Sequence, residues 1–371
     1  MSVTFALETA SRPDPDALRV STAMNSSAET AKPWPETASW LVRSPNPLGD
    51  ACMSLPAVRA LRRAFPAAHI AVACRGNLAP LWQACDAIDA VLPFAKGLSP
   101  WAVGRLLRQH GPFAAGLLLP NSVRSALELR LGGVKSLVGY AGHYRRLLLR
   151  RAVDEVSADS PRHHLHRYLD LVRALGADPG RLDEILALPP APAPPPRESG
   201  EIHLGLCPGA EYGNAKRYPV ERYAEAIALL RRARPGSDIR VSIYGSPAER
   251  SIGDELVSLL DEPRANRAGD TDIAGLVAEL RTCHLLATND TGTMHLAAAL
   301  GVPVVAVFGS TDPDLTSPIG SGHEIVQEKP DCSPCFLREC PVDYRCMLRI
   351  EPATVAAAMS AVLDRIEAAP E

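Results

Sequence analysis

Short apolar runs alternate along this chain with segments of helical spacing, and the alternation occurs twice, on either side of a stretch that suits neither. That stretch is Leu188–Gly200, LPPAPAPPPRESG, with six prolines. Proline fixes its own φ and lacks an amide donor, so such a run is excluded from helix interiors and central strands and prefers extended polyproline geometry. Before it, Trp40–Val42, Ile70–Ala73, Ala90–Leu92 and Gly116–Leu119 read as buried strands, and Ser136–Tyr140 adds another. Leu55, Val58, Leu61 and Phe65 recur at near-helical spacing after the first strand. After it, Ile202–Cys207, Ile239–Tyr244, Leu285–Thr288 and Val304–Phe308 are strand candidates, with helical patterns at Glu221–Arg232, Ile273–Arg281 and Glu351–Ala368.

Strands alternating with helices build βαβ units and parallel sheets. The expected fold is therefore α/β, with two Rossmann-like domains facing a central cleft, and 371 residues are enough for both. The expected boundaries are a disordered leader over 1–36, a first domain over 37–187, a linker over 188–200, a second domain over 201–350 and a terminal helix over 351–371.

Charge and composition exclude several classes. No apolar run approaches the ~20 residues of a membrane-spanning helix. A formal net charge of −3 argues against a bulk nucleic-acid binder. Met1 to Pro35 carries Glu8, Asp14, Asp16 and Glu29 and lacks the apolar core of roughly 7–15 residues that export requires. The expected location is the cytoplasm, where the nine cysteines are thiols or metal ligands rather than disulfides.

Three polar turns follow predicted strands. The first, Ser44-Pro45-Asn46-Pro47-Leu48-Gly49-Asp50, places a carboxylate where a helix begins; Asp50 is either a helix cap or a catalytic group facing the cleft. Pro56 implies that this helix starts after Asp50 or bends. The second contains Pro208, Gly209 and Ala210, a small turn whose amides can approach a phosphate, with Lys216 close behind as a point charge or an ordinary surface lysine. The third runs Asp290, Thr291, Gly292, Thr293 to His295; its amides and hydroxyls suit an anion at a helix N-terminus, or an ordinary capped helix with a structural histidine. Two such turns and a lysine in one half point to a nucleotide diphosphate. Walker and Gly-x-Gly-x-x-Gly loops are absent from the sequence, and the Asp-x-Asp pairs at 14–16, 270–272 and 312–314 are read as tail, cap and turn rather than metal sites.

In combination, Leu48-Gly49-Asp50, Leu119-Pro120-Asn121-Ser122, Cys207 to Glu211, Ala215 to Pro219 and Asn289 to His295 resemble glycosyltransferase family 9, the heptosyltransferases of lipopolysaccharide core assembly, over roughly Trp40 to Ile350. The resemblance implies a GT-B fold and an inverting transfer from ADP-heptose to the anionic lipid A-core acceptor, without a required cofactor. It implies that Asp50 is the general base, that Lys216 and the Asp290–His295 turn hold the diphosphate, that the nucleobase lies near Gly269–Thr271, and that the first domain binds the acceptor. Alternatives are a sugar-nucleotide epimerase of the same architecture and a non-catalytic nucleotide-sugar-binding protein.

Basic residues in the first half, Arg59, Arg145 and Arg146, with Asn121, are candidates for contacting that acceptor and the inner face of the membrane; a solvated charged surface is the alternative. Cys332, Cys335, Cys340 and Cys346 lie within fifteen residues, a spacing compatible with a structural zinc or with free thiols. His163, His164 and His166 read as a solvated helix start.

Overall fold

The computed structural model describes Trp34 and residues 38–142, 144–155, 162–182, 185, 200–261 and 264–368. The leader, apart from Trp34, and the linker, apart from Gly200, lie outside the described residues. The elements below belong to one compact unit, Glu36–Glu371.

The first half runs β1 (Ser39–Arg43), α1 (Leu48–Ala64), β2 (His69–Arg75), α2 (Ala79–Gln83), β3 (Ala90–Phe94), α3 (Pro100–Gln109), β4 (Ala115–Leu118), α4 (Val123–Leu131), β5 (Leu137–Tyr140), β6 (Arg151–Val153) and α5 (Leu165–Arg173). The second runs β7 (Glu201–Cys207), α6 (Val220–Ala233), β8 (Asp238–Ile243), α7 (Arg250–Leu259), β9 (Arg264–Asn266), α8 (Ile273–Leu280), β10 (Leu285–Asn289), α9 (Gly292–Ala299), β11 (Val304–Phe308), α10 (Pro313–Thr316), β12 (Glu324–Gln327), α11 (Arg345–Leu348) and α12 (Pro352–Glu367).

Each half forms a six-stranded sheet, in the orders β3-β2-β1-β4-β5-β6 and β12-β11-β10-β7-β8-β9, with every pair parallel. Numbered within its own half, the second order is the first read backwards: both are 3-2-1-4-5-6. The strand order reverses between the first and fourth strands, and ligands of such folds bind beyond the carboxyl ends of the strands at that point. It lies between β1 and β4 in one half and between β7 and β10 in the other.

The central strands are apolar because helices cover both faces. Trp40, Leu41 and Val42 of β1 and all five residues of β11 are fully buried. Leu41, Leu92, Leu107, Leu129 and Leu137 make one core on the first sheet, while Leu165, Leu169 and Val172 of α5 close over Ala57 and Ala60 of α1. In the second half, α12 adds Val355, Met359, Val362 and Leu363 to the same core as Ile227 and Leu230 of α6.

Helix α1 starts at Leu48 and continues through Pro56, so the expected later start does not occur. Three strands went unread in the sequence: β6, β9 and β12. Each is an edge strand or next to nothing on one side, three or four residues long, and carries charged or amide side chains. Short polar strands of this kind protect sheet edges and leave no apolar run to detect.

Candidate active site

Asp50 is the third residue of α1, whose N-cap position is Pro47, so its carboxylate is not the helix cap. It accepts a hydrogen bond from Tyr168 Oη of α5 at 3.1 Å. The loop leading to it is fixed from below by Arg43, the last residue of β1. The buried Arg43 guanidinium pairs with buried Glu128 of α4 at 2.8 Å, lies 4.7 Å from the Phe94 ring centroid, and donates to Ser44 O and to Asn46 Oδ1. Trp82 Nε1 donates to Ser44 Oγ at 2.9 Å. A buried ion pair with its remaining donors satisfied fixes position more than it adds net stability.

Across from α1, α9 begins at Gly292, with Thr291 as N-cap accepting from Met294 N. The two helix starts touch. A Cβ on Gly292 would stand 3.1 Å from Leu48 Cβ and 3.2 Å from Gly49 N, and one on Gly49 would stand 2.9 Å from His295 Cδ2. A side chain at either position would press on the facing helix start, so the two glycines suit this close approach. Both termini present unpaired amides and the positive ends of their dipoles, an arrangement suited to anions.

The second-half turns are joined by Asn289, the fully buried last residue of β10. Its Nδ2 donates to Pro208 O at 2.7 Å and Gly209 O at 3.2 Å, and its Oδ1 accepts from Tyr218 N and Tyr223 Oη. Asp290 is buried beside it and accepts from Lys216 Nζ at 2.5 Å and Thr311 Oγ1 at 2.8 Å. Lys216 also lies 4.7 Å from the Tyr212 ring centroid. A Cβ on Gly209 would fall 2.1 Å from Glu249 Oε1, so a side chain there would have to displace the Glu249 carboxylate.

Thus Pro208, Gly209, Ala210, Lys216, Asp290, Thr291, Gly292 and Thr293 all come to the carboxyl ends of β7 and β10. His295 packs inward against Gly49, and burial pushes it down to about 4, with the Asp290 charge opposing only part of that shift. It is therefore neutral near pH 7 and acts in the seam rather than as a cation; its Nδ1 is buried without a hydrogen-bond partner.

Several residues read from sequence fall elsewhere. Arg145 is fully buried, and its guanidinium donates to Tyr140 O at 2.7 Å, Pro120 O at 2.6 Å and Ser122 O at 3.2 Å. Burial pulls its ionisation down to about 10. It ties its own loop and the end of β5 to the loop between β4 and α4 and is not available to an acceptor, which corrects the sequence reading. Arg146 is exposed and paired with Asp154; Arg59 pairs with Asp86 at 3.4 Å; Asn121 Nδ2 donates to Glu155. Beside Arg146, Tyr144 and Leu147 are almost wholly exposed.

The cysteine cluster does not assemble as a metal centre. Among the described residues no three His, Cys, Asp or Glu side chains converge as they would around an ion. Cys332 is exposed, Cys346 is buried against Gly309, and Cys340 Sγ accepts from Tyr344 N at 3.3 Å. The loop instead braces the lysine turn: Ala215 N donates to Arg338 O at 3.0 Å, and Tyr212 Oη to Phe336 O at 2.8 Å.

The histidine run is not a solvated helix start. His164 N donates to Leu315 O and His163 Nε2 contacts Ser317 O, both at 2.9 Å, stitching the first half to the second. Burial lowers the His164 ionisation, and the charges of Asp50 and Asp290 both act on its ring. No sequence spacing marks this, because the partners lie more than a hundred residues away. Asn289 had a local signal: an amide ending an otherwise apolar strand.

A family model described as "Glycosyltransferase family 9 (heptosyltransferase)" matches residues 101–345. Lipopolysaccharide heptosyltransferase 2 of Escherichia coli (strain K12) is 29% identical over 314 residues, 77% of this chain and 87% of that protein. Its counterpart from Salmonella typhimurium is 28% identical over the same length. The solved structure of E. coli ADP-heptose lps heptosyltransferase II matches with a TM-score of 0.74 at 27% identity, covering 89% of this chain and 100% of that one. With two parallel sheets of one strand order meeting at their switch points, and a family match that spans β4 to β6 of the first sheet and the whole of the second, this chain belongs to glycosyltransferase family 9, the heptosyltransferases.

Proposed function

We propose that this protein transfers heptose from ADP-heptose to an anionic, lipid-linked lipopolysaccharide inner core, inverting the anomeric centre in one displacement. The observation that carries the reading is the abutment of α1 and α9, which brings Asp50 beside the turn that begins at Asp290. The donor named in the related E. coli structure is the same nucleotide sugar.

Asp50 takes the proton of the acceptor hydroxyl as that oxygen attacks the anomeric carbon, a role that contributes on the order of 10²–10⁴-fold. The bond from that carbon to the diphosphate breaks, and the electron pair leaves with ADP. Negative charge grows on the departing phosphate. The amides at the start of α9 stabilise it, as does Lys216 once it turns from Asp290 toward the phosphate. Asn289 holds the Pro208–Gly209 turn to the end of β10. The acceptor enters from the first half.

The test is incubation with ADP-heptose and a truncated core acceptor, followed by mass spectrometry. A gain of one heptose on the acceptor is expected, and Asp50→Asn should slow it by as much as about 10⁴-fold while leaving ADP affinity nearly intact. Near-normal turnover by Asp50→Asn would remove Asp50 as the base, and epimerised sugar nucleotide without acceptor gain would replace the transfer reading altogether.

A further inference from the structure

Asp50 needs a fixed orientation to act, and its own helix does not supply one. The terminal carboxylate torsion of aspartate is broad when no donor holds it. The single side-chain hydrogen bond described for Asp50 comes from Tyr168 Oη, 118 residues further along the chain. Tyr168 packs against the cluster formed by Ala57 and Ala60 of α1 with Leu165, Leu169 and Val172 of α5. The ring is thereby held by apolar contacts, and its one polar atom points at the carboxylate.

Burial, then the Asp50 charge, push the Tyr168 phenol well above its usual range, so the proton stays on the phenol and the bond has one direction. The other titratable groups on which the Asp50 charge acts are His164, one turn before Tyr168 in α5, and Cys52 in α1. From the second half, His164 also feels Asp290 and Lys216. Burial pushes Cys52 upward and lowers His164, so Cys52 remains a neutral thiol, and Tyr168 is the group bonded to the carboxylate.

We infer that Tyr168 is a positioning residue of the transfer reaction, holding Asp50 by Oδ1 so that Oδ2 faces the acceptor hydroxyl. The inference rests on Asp50 being the base. The acceptor proton goes to Oδ2 as the new glycosidic bond forms, and Tyr168 keeps its own proton throughout. Placement of a base to within a fraction of an ångström is the part of catalysis most sensitive to such a contact.

Tyr168→Phe keeps the ring and deletes the donor. The expected result is a kcat lower by about 10- to 100-fold, the worth of a hydrogen bond to a charged group, with the KM for ADP-heptose unchanged. Replacing Tyr168 with 3-fluorotyrosine, which keeps a donor on the same ring, should retain the kcat that Tyr168→Phe loses. In an Asp50→Asn background Tyr168→Phe should cause no further loss of kcat. If Asp50→Asn is inactive but Tyr168→Phe keeps full kcat, the positioning role is wrong and the base stands. If Asp50→Asn stays active, the base assignment fails first and takes the positioning role with it. Parallel falls in kcat, donor affinity and Tm in Tyr168→Phe would make Tyr168 a packing residue only.

Discussion

The two halves share one strand order and use its switch point in opposite ways. In the first half, the turn after β1 delivers a single carboxylate, Asp50, with one phenolic donor. A buried ion pair, Arg43 with Glu128, sits beneath the loop. In the second half, the turns after β7 and β10 are cross-linked by Asn289, and their charges, Lys216 and Asp290, stand at the cleft paired to each other and to Thr311. A base must keep an oxygen free to take a proton. A phosphate cradle must keep several groups at fixed spacing while the ligand is away. The same topology meets both demands because the sheet sets only where the turns emerge, and the turns set what they carry.

The sharpest way to break this contrast is to remove one group from each half. Asp50→Asn should lower kcat by as much as about 10⁴-fold with ADP affinity kept, whereas Lys216→Met should lower kcat by about 10²–10³-fold and weaken ADP binding as well. Calorimetric titration with ADP alongside turnover separates the two, and a loss of ADP binding in the Asp50 variant would erase the division of labour. Next comes the concealed pair of the first half. Glu128→Ala leaves the Arg43 guanidinium buried without its partner and should cost about 3–5 kcal/mol in a urea unfolding curve. A cost below about 1 kcal/mol would show that the pair is effectively solvated and does not fix the loop before Asp50.

The smallest effect concerns pH. Burial drives His203 and His295 down to about 4, and both belong to the second half. A histidine whose folded value lies below its unfolded value of about 6.5 favours the folded state only while neutral. That stability is whole above about pH 6.5 and is lost as pH falls toward about 4, at up to about 1.4 kcal/mol per pH unit for each ring. The second half should therefore loosen first on acidification. Hydrogen exchange at pH 7 and pH 5 should show protection falling around β7 and α9 before β1 and β4; uniform loss would contradict it.

Sequence alone determined the α/β class, the central strands of both sheets, and the three polar turns after β1, β7 and β10. Those features are local. Apolar run length and the chemistry of Gly, Pro, Thr and Asp near a strand end are written in consecutive residues, and the combination was enough to suggest the family. Edge strands β6, β9 and β12 were not readable, because a strand of three or four residues with polar side chains gains its identity from the neighbour it pairs with.

What only the tertiary structure decided is which polar groups meet. Arg145 and Arg146 are adjacent in sequence, yet one is wholly enclosed by loop carbonyls and the other stands in solvent. Tyr168 reaches Asp50, and His164 reaches Leu315 of α10, across more than a hundred residues. Burial and hydrogen-bond partners depend on distances set by packing, and no spacing along the chain encodes a distance between residues that the fold alone brings together.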